Sequence, residues 1–127
     1  MYLRLELSID SFIKVRTIHF EINGQRFTGL NGGPQSKFNQ AISLELPCED
    51  QAEIDYYWEK LGEGGDENKR KCGWITDKFG LWWQVMPNIL KEYLGSDDSD
   101  AVDQVLLAMM GMKKYDIDEL KRAFEGK

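Results

Sequence analysis

Apolar and polar residues alternate strictly at the start of the chain, with Leu3, Leu5, Leu7 and Ile9 set against Arg4, Glu6, Ser8 and Asp10. A period of two is the mark of a half-buried strand. Asp10-Ser11 reads as a turn, after which Ile18, Phe20 and Ile22 alternate with Thr17, His19 and Glu21. Asn23-Gly24 follows at once. Both residues tolerate positive φ, so the pair predicts a tight hairpin and a return strand from Gln25 to about Leu30. Asn31 to Pro34 holds two glycines and a proline and reads as a sharp loop.

The middle of the chain changes period twice. Ala41 to Leu46 predicts a strand. Asp50 and Glu53 then have the spacing of a capping box, the first accepting from the N3 amide and the second reaching back to the cap. The helix they open continues to about Leu61, with Ile54, Tyr57, Trp58 and Leu61 at i, i+3, i+4 and i+7, a single stripe that must lie on a sheet. Glu63-Gly64-Gly65 ends it. Cys72 to Thr76 and Leu81 to Met86 are β-rich runs joined by Asp77-Lys78-Phe79-Gly80, a turn with glycine where positive φ is needed, so they predict a hairpin. Pro87 stops that hairpin and suits the first position of a helix. Asp98 to Met110 and Asp116 to Phe124 predict two more helices, striped by Val102, Val105, Leu106 and Met109 and by Ile117, Leu120 and Phe124. Met109, Met110 and Met112 read as core packing, with a plastic binding surface as the alternative.

Strand alternation also assigns faces. Ile42, Leu44 and Leu46 with Leu81, Trp83 and Val85 form the apolar sets expected beneath the helix. Ser43, Glu45, Trp82 and Gln84 are left on the opposite face, and a mixed polar and aromatic lining is what a ligand pocket needs.

Length and charge narrow the class. The 127 residues, 42% of them hydrophobic, suffice for one α+β domain over residues 1–127 with its own core. Twenty-two acidic against 16 basic side chains give a net charge of −6, which argues against a nucleic-acid surface. Lys69, Arg70 and Lys71 form a short basic run behind Asp66 and Glu67 and read as a solvated loop. Cys48 and Cys72 match no metal-ligand spacing and read as buried free thiols, with a Cys72 made reactive by the charge of Lys69 to Lys71 as the alternative. With no signal peptide and no apolar run of membrane-spanning length, the cytoplasm is the expected location, and no membrane partner is expected.

The run from Asn23 to Gly65, with its DYYWEKL block at 55–61, and the CGW and DKFGLWWQV blocks at 72–74 and 77–85 resemble, in that order, the PhnB-like branch of the glyoxalase and vicinal-oxygen-chelate superfamily. The closing MKKYDIDELKRAFEG, at 112–126, is similar too. The resemblance implies βαβββ modules whose curved sheets enclose a small-molecule cleft. It implies one complete module over residues 41–86, a partial first module over 1–31 and a helical C-terminal tail over 87–127. Relatives carry a further strand and helix upstream, so the chain is expected to be truncated at its N-terminus. The strand edge and sheet face that this would uncover favour a homodimer.

The resemblance also sharpens the site. Metal-using relatives usually place Glu where this sequence has Gln84, and His near the position of Ser43. Neither replacement is a good ligand, so no metal and no other cofactor is expected. The ligand-binding candidates are Trp82, through stacking, with Gln84, Ser43, Glu45 and His19. His19 is the only histidine and reads either as a polar strand residue or as an acid, base or ligand group. Glu45 reads as a rim carboxylate or, in a dry cleft, a general base. No catalytic set is specified. The expected function is metal-free small-molecule binding, and the alternatives are a metal-dependent isomerase, lyase or dioxygenase, or a role in dimer assembly. Branch members are also named as ubiquinone-pathway methyltransferases, yet no glycine-rich turn that would cradle S-adenosylmethionine follows a strand here.

Overall fold

The computed structural model describes residues 3–9 and 15–127, with side chains from residue 16 onward. The turn expected at Asp10-Ser11 lies outside the described residues. The chain divides into two compact units, residues 1–37 and 38–127.

The first unit holds β1 (Leu3–Ile9), β2 (Val15–Ile22) and β3 (Gln25–Leu30), antiparallel and in that spatial order. Asn23 and Gly24 adopt φ of 48° and 83°, as the tight hairpin requires, and Ile22 pairs directly with Gln25. The register sets Phe20 opposite Phe27, and their rings stack at 5.3 Å.

The second unit begins with β4 (Ser43–Cys48), α1 (Gln51–Gly62), a 3-10 turn (Glu67–Lys69), β5 (Trp74–Thr76) and β6 (Trp82–Pro87). Its sheet order is β4-β6-β5, with β4 parallel and β5 antiparallel to β6. Parallel neighbours need a crossover, and α1 lies within it. Ile54 and Trp58 bury the helix stripe against Cys48, Ile75 and Val85, with Tyr57, Leu61 and Trp83 packed around them. Each fully buried aliphatic side chain there contributes about 1.5–3 kcal/mol. The tail forms α2 (Ile89–Leu94), α3 (Ser99–Gly111) and α4 (Ile117–Phe124) around a second core of Leu90, Val105, Met112, Tyr115 and Leu120. No helix among the described residues is long and apolar enough to cross a membrane.

The mixed α+β class, the glyoxalase-like pattern and the helical tail stand as expected. Within residues 41–87 the structure forms three strands around one helix, one strand fewer than a βαβββ count. Several boundaries also move. β4 starts two residues later than expected and runs through Pro47, which an edge strand can hold because, among the described residues, one side of its ladder is unpaired. Ile42, expected beneath α1, therefore lies before the strand and is 71% exposed. β5 is shorter than expected because Cys72 and Gly73 adopt φ of 49° and 78° and give their amides to the tail, at Met112 and Lys113. Pro87 does not open a helix. It ends β6 opposite Cys48, and α2 begins after Asn88.

Asp50 accepts an amide of the first turn, as read from the sequence, and Asp98 and Asp116, where the two tail helices were expected to begin, cap theirs in the same way. Glu53 reaches back one residue further than expected, to the Glu49 amide at 2.8 Å. The buried face of α3 is rotated from the expected stripe. Ala101 and Val105 are buried, whereas Leu106 is exposed. The methionines divide in the same way, Met112 buried, Met109 packed against the core and Met110 exposed.

Candidate functional site

The candidate face is the side of the β4-β6-β5 sheet opposite α1. Parallel pairing sets Ser43 beside Trp82 and Glu45 beside Gln84, while their alternates Trp83 and Val85 enter the α1 core. Four of the five candidate ligand residues therefore share one surface, as alternation predicted. Gln84 donates its side-chain amide to the Ser43 hydroxyl at 2.8 Å, which ties the two strands together on that surface. The fifth candidate, His19, stands on β2 in the first unit. It is exposed, and its Nδ1 shares a 3.0 Å hydrogen bond with the Thr28 hydroxyl.

β5 adds a residue that the sequence reading left out. Trp74 pairs with Gln84 and so lies on the same face, where its ring meets Trp82 edge-on at 5.9 Å. The turn at Asp77–Gly80 sets this register, so Trp74 was readable from the predicted hairpin. Asp77 holds that turn by accepting from the amides of Phe79 and Leu81 and, through its other oxygen, from the Trp83 indole. Gly80 takes φ of 85° there.

Two lysines bring ammonium groups onto the face. Lys69, in the 3-10 turn beside β5, sits 5.7 Å from the centre of the Trp82 ring. The turn is held close because the Asp66 amide donates to Thr76 Oγ1, which is buried. The basic run is thus more than a solvated loop: Lys69 also approaches Asp66 at 3.9 Å, and Arg70 donates to the Gly62 carbonyl at the end of α1. Lys91, on α2, pairs with Glu45 at 3.2 Å. Neither lysine carries a sequence signal, since each arrives from an element whose docking is tertiary.

Beyond Glu45 the same face continues through Pro47 and Met86, and α2 overhangs it with Leu90 and Leu94. Together they line a mostly apolar pocket of about 190 Å³ with the Glu45–Lys91 pair beside it. The surface thus grades from aromatic, at Trp74 and Trp82, through an amide and hydroxyl, to a charged pair and an apolar recess.

The metal expectation can be tested on these residues. Gln84 and Ser43 engage each other, and a neutral amide and hydroxyl are poor ligands for a divalent cation, so the residues present do not fit one. Among the described residues no three His, Cys, Asp or Glu side chains are grouped to hold a metal ion. The cysteines lie elsewhere. Cys48 is buried under α1, where burial first and then the charges of Glu53 and Asp50 push its thiol up to about 11. Cys72 is half-buried and donates its thiol to the Met109 carbonyl at 3.2 Å.

The sequence matches a family described as 3-demethylubiquinone-9 3-methyltransferase over residues 9–86. Among solved structures, a PhnB protein from Bacillus cereus that carries the same methyltransferase name is 26% identical. The match covers 67% of this chain and 79% of that one, with a TM-score of 0.54. No curated protein matches the chain. The family match takes in the sheet residues of the candidate face, from β4 through α1 to Met86, and the chain belongs to this 3-demethylubiquinone-9 3-methyltransferase family, in its PhnB-like branch.

Proposed function

We propose that the chain binds a small organic molecule on the β4-β6-β5 face and holds it by stacking and hydrogen bonds, without a metal. The observation that carries this is the Gln84–Ser43 bond beside the paired indoles of Trp74 and Trp82. Polar groups beside aromatic rings suit recognition of a planar or partly apolar ligand. The half-exposed rings of Trp74 and Trp82 leave stacking area free. Methyl transfer, the activity in the family's name, is not part of the proposal.

The proposal also places the chain in the cytoplasm, consistent with two free thiols, and pairs it with a second copy. β4 is paired on one side only among the described residues, so its outer edge offers a ladder to another strand.

Native mass spectrometry of the purified chain tests the ligand, the metal and the second copy at once. The expected result is a dimer carrying a non-stoichiometric organic mass that is lost in Trp82→Ala, with no stoichiometric divalent metal. A bound divalent metal in a one-to-one ratio overturns the proposal and turns attention to the metal-dependent isomerase, lyase or dioxygenase chemistry of the superfamily.

A further inference from the structure

We infer that the ligand of this face is a hydrophobic organic cation, an amine or quaternary ammonium with an apolar body, whose charged group meets Glu45 and whose body fills the recess beside it. The inference rests on the binding face proposed above and assigns its ligand class. Three observations carry it.

The first is that the chain already places two of its own ammonium groups here, Lys91 on Glu45 and Lys69 over Trp82. Glu45 and Trp82 lie on the same face, with Glu45 beside Gln84 and Trp82 two residues before Gln84 on β6. That is a step of about 7 Å along the strand. A carboxylate and an indole ring both attract positive charge, and both do so here.

The second is a difference in exposure across the charged pair. Glu45 stands on a strand in register with Gln84 and its side chain is 45% exposed, whereas Lys91 has a longer stem and is 74% exposed. An exposed pair of this kind is weak, so an incoming cation can displace Lys91 into water and take its place on Glu45. An incoming anion would have to displace the strand-held carboxylate and remain beside it, which like charge opposes.

The third is the recess itself. Its walls of Pro47, Met86, Leu90 and Leu94 continue directly from Glu45 and enclose about 190 Å³, room for a body near the size of a phenyl group with a short linker. The net charge of −6 adds a long-range field that favours positive ligands.

The test is titration of the full chain with 2-phenylethylammonium, 2-phenylethanol and 3-phenylpropionate, followed by indole fluorescence and by amide and indole chemical shifts. The ammonium is expected to bind about fivefold or more tighter than the alcohol, and the propionate weakest. Glu45→Gln is expected to erase the advantage of the ammonium, and Lys91→Met, which removes the resident cation, to enlarge it. Tightest binding of the propionate, lost in Lys91→Met, would overturn the assignment in favour of an anion site. Equal binding of all three with Glu45→Gln silent overturns the charge class but keeps the recess. If none of the three binds while native mass spectrometry still finds a retained molecule lost in Trp82→Ala, this inference fails and the proposed function stands. If no probe binds and no molecule is retained, both fail.

Discussion

The amide of Gln84 and the hydroxyl of Ser43 meet at 2.8 Å across two parallel strands, although 41 residues separate them in the chain. The bond exists because α1 carries the chain from β4 to the β5-β6 hairpin and returns β6 alongside β4 in parallel. It marks the centre of the candidate face and supplies its first test.

Ser43→Ala removes the acceptor while leaving Gln84 half-exposed and able to find water. Stability is expected to fall by about 0.5–1.5 kcal/mol, as for a single neutral hydrogen bond. Urea denaturation of the two proteins measures it, and any ligand retained by the wild type should be weakened in the variant.

Gly73 should tolerate no side chain. Its φ of 78° lies in the left-handed region, and a Cβ there would overlap the ring of Tyr115, which is buried in the tail core. Gly73→Ala is therefore expected to cost more than about 2 kcal/mol through combined strain and overlap, and to loosen the tail from β6. Thermal unfolding gives the cost. Amide exchange at Val85, whose N–H donates to the Gly73 carbonyl, shows whether the loosening is local.

Alkaline stability follows from two buried acids. Burial, and secondly Cys72, pushes the Tyr115 hydroxyl up to about 12, while the Cys48 thiol is pushed up to about 11. Both groups hold their protons more tightly when folded than unfolded. Stability is therefore fully present below the ordinary values of about 9 for the thiol and 10 for the phenol and is lost as pH rises through 11 and 12. Unfolding midpoints measured from pH 8 to 12 should fall in that window, and Tyr115→Phe should flatten the upper part. The same burial predicts that Cys48 resists alkylation at pH 8 until the chain is unfolded.

Asp55 acts in the opposite direction. Its carboxylate accepts from Lys114 at 2.6 Å and from Gln51 at 3.1 Å, and these bonds, Lys114 first, hold its pKa below the ordinary 3.8. A depressed acid contributes stability above its unfolded value and loses it as pH falls through the folded one. The stability gap between wild type and Asp55→Asn should thus be small, because the pair is largely exposed, and should close below pH 3.8. Parallel urea titrations at pH 7 and pH 3 decide it.

Removing a cap tests the local reading of the tail. Asp98→Ala leaves the Ala101 amide without its acceptor and is expected to cost about 1 kcal/mol, as is Asp116→Ala at the Glu119 amide. Helical circular dichroism and thermal midpoints report the loss.

Most of the local structure was written in short-range pattern. Asp50, Asp98 and Asp116 announce helices because a carboxylate can satisfy a first-turn amide only a few residues away. Asn23-Gly24 and Asp77–Gly80 announce hairpins because their backbones reach positive φ. Alternation placed Ser43, Glu45, Trp82 and Gln84 on one surface, since a strand offers its side chains only two directions. These are properties of a few neighbouring residues, and the sequence by itself determined them. Other features needed the folded chain. Cys72 and Gly73 leave the strand because the tail accepts their amides, Gln51 reaches Tyr115 and Ile117 from the start of α1, and the inward face of α3 turns to Ala101 and Val105. Lys69 and Lys91 reach the candidate face the same way, from a turn and a helix whose positions depend on packing between elements distant in sequence. No local period encodes that packing, and so the fold class and the face were legible while the charges gathered on it were decided by the tertiary structure.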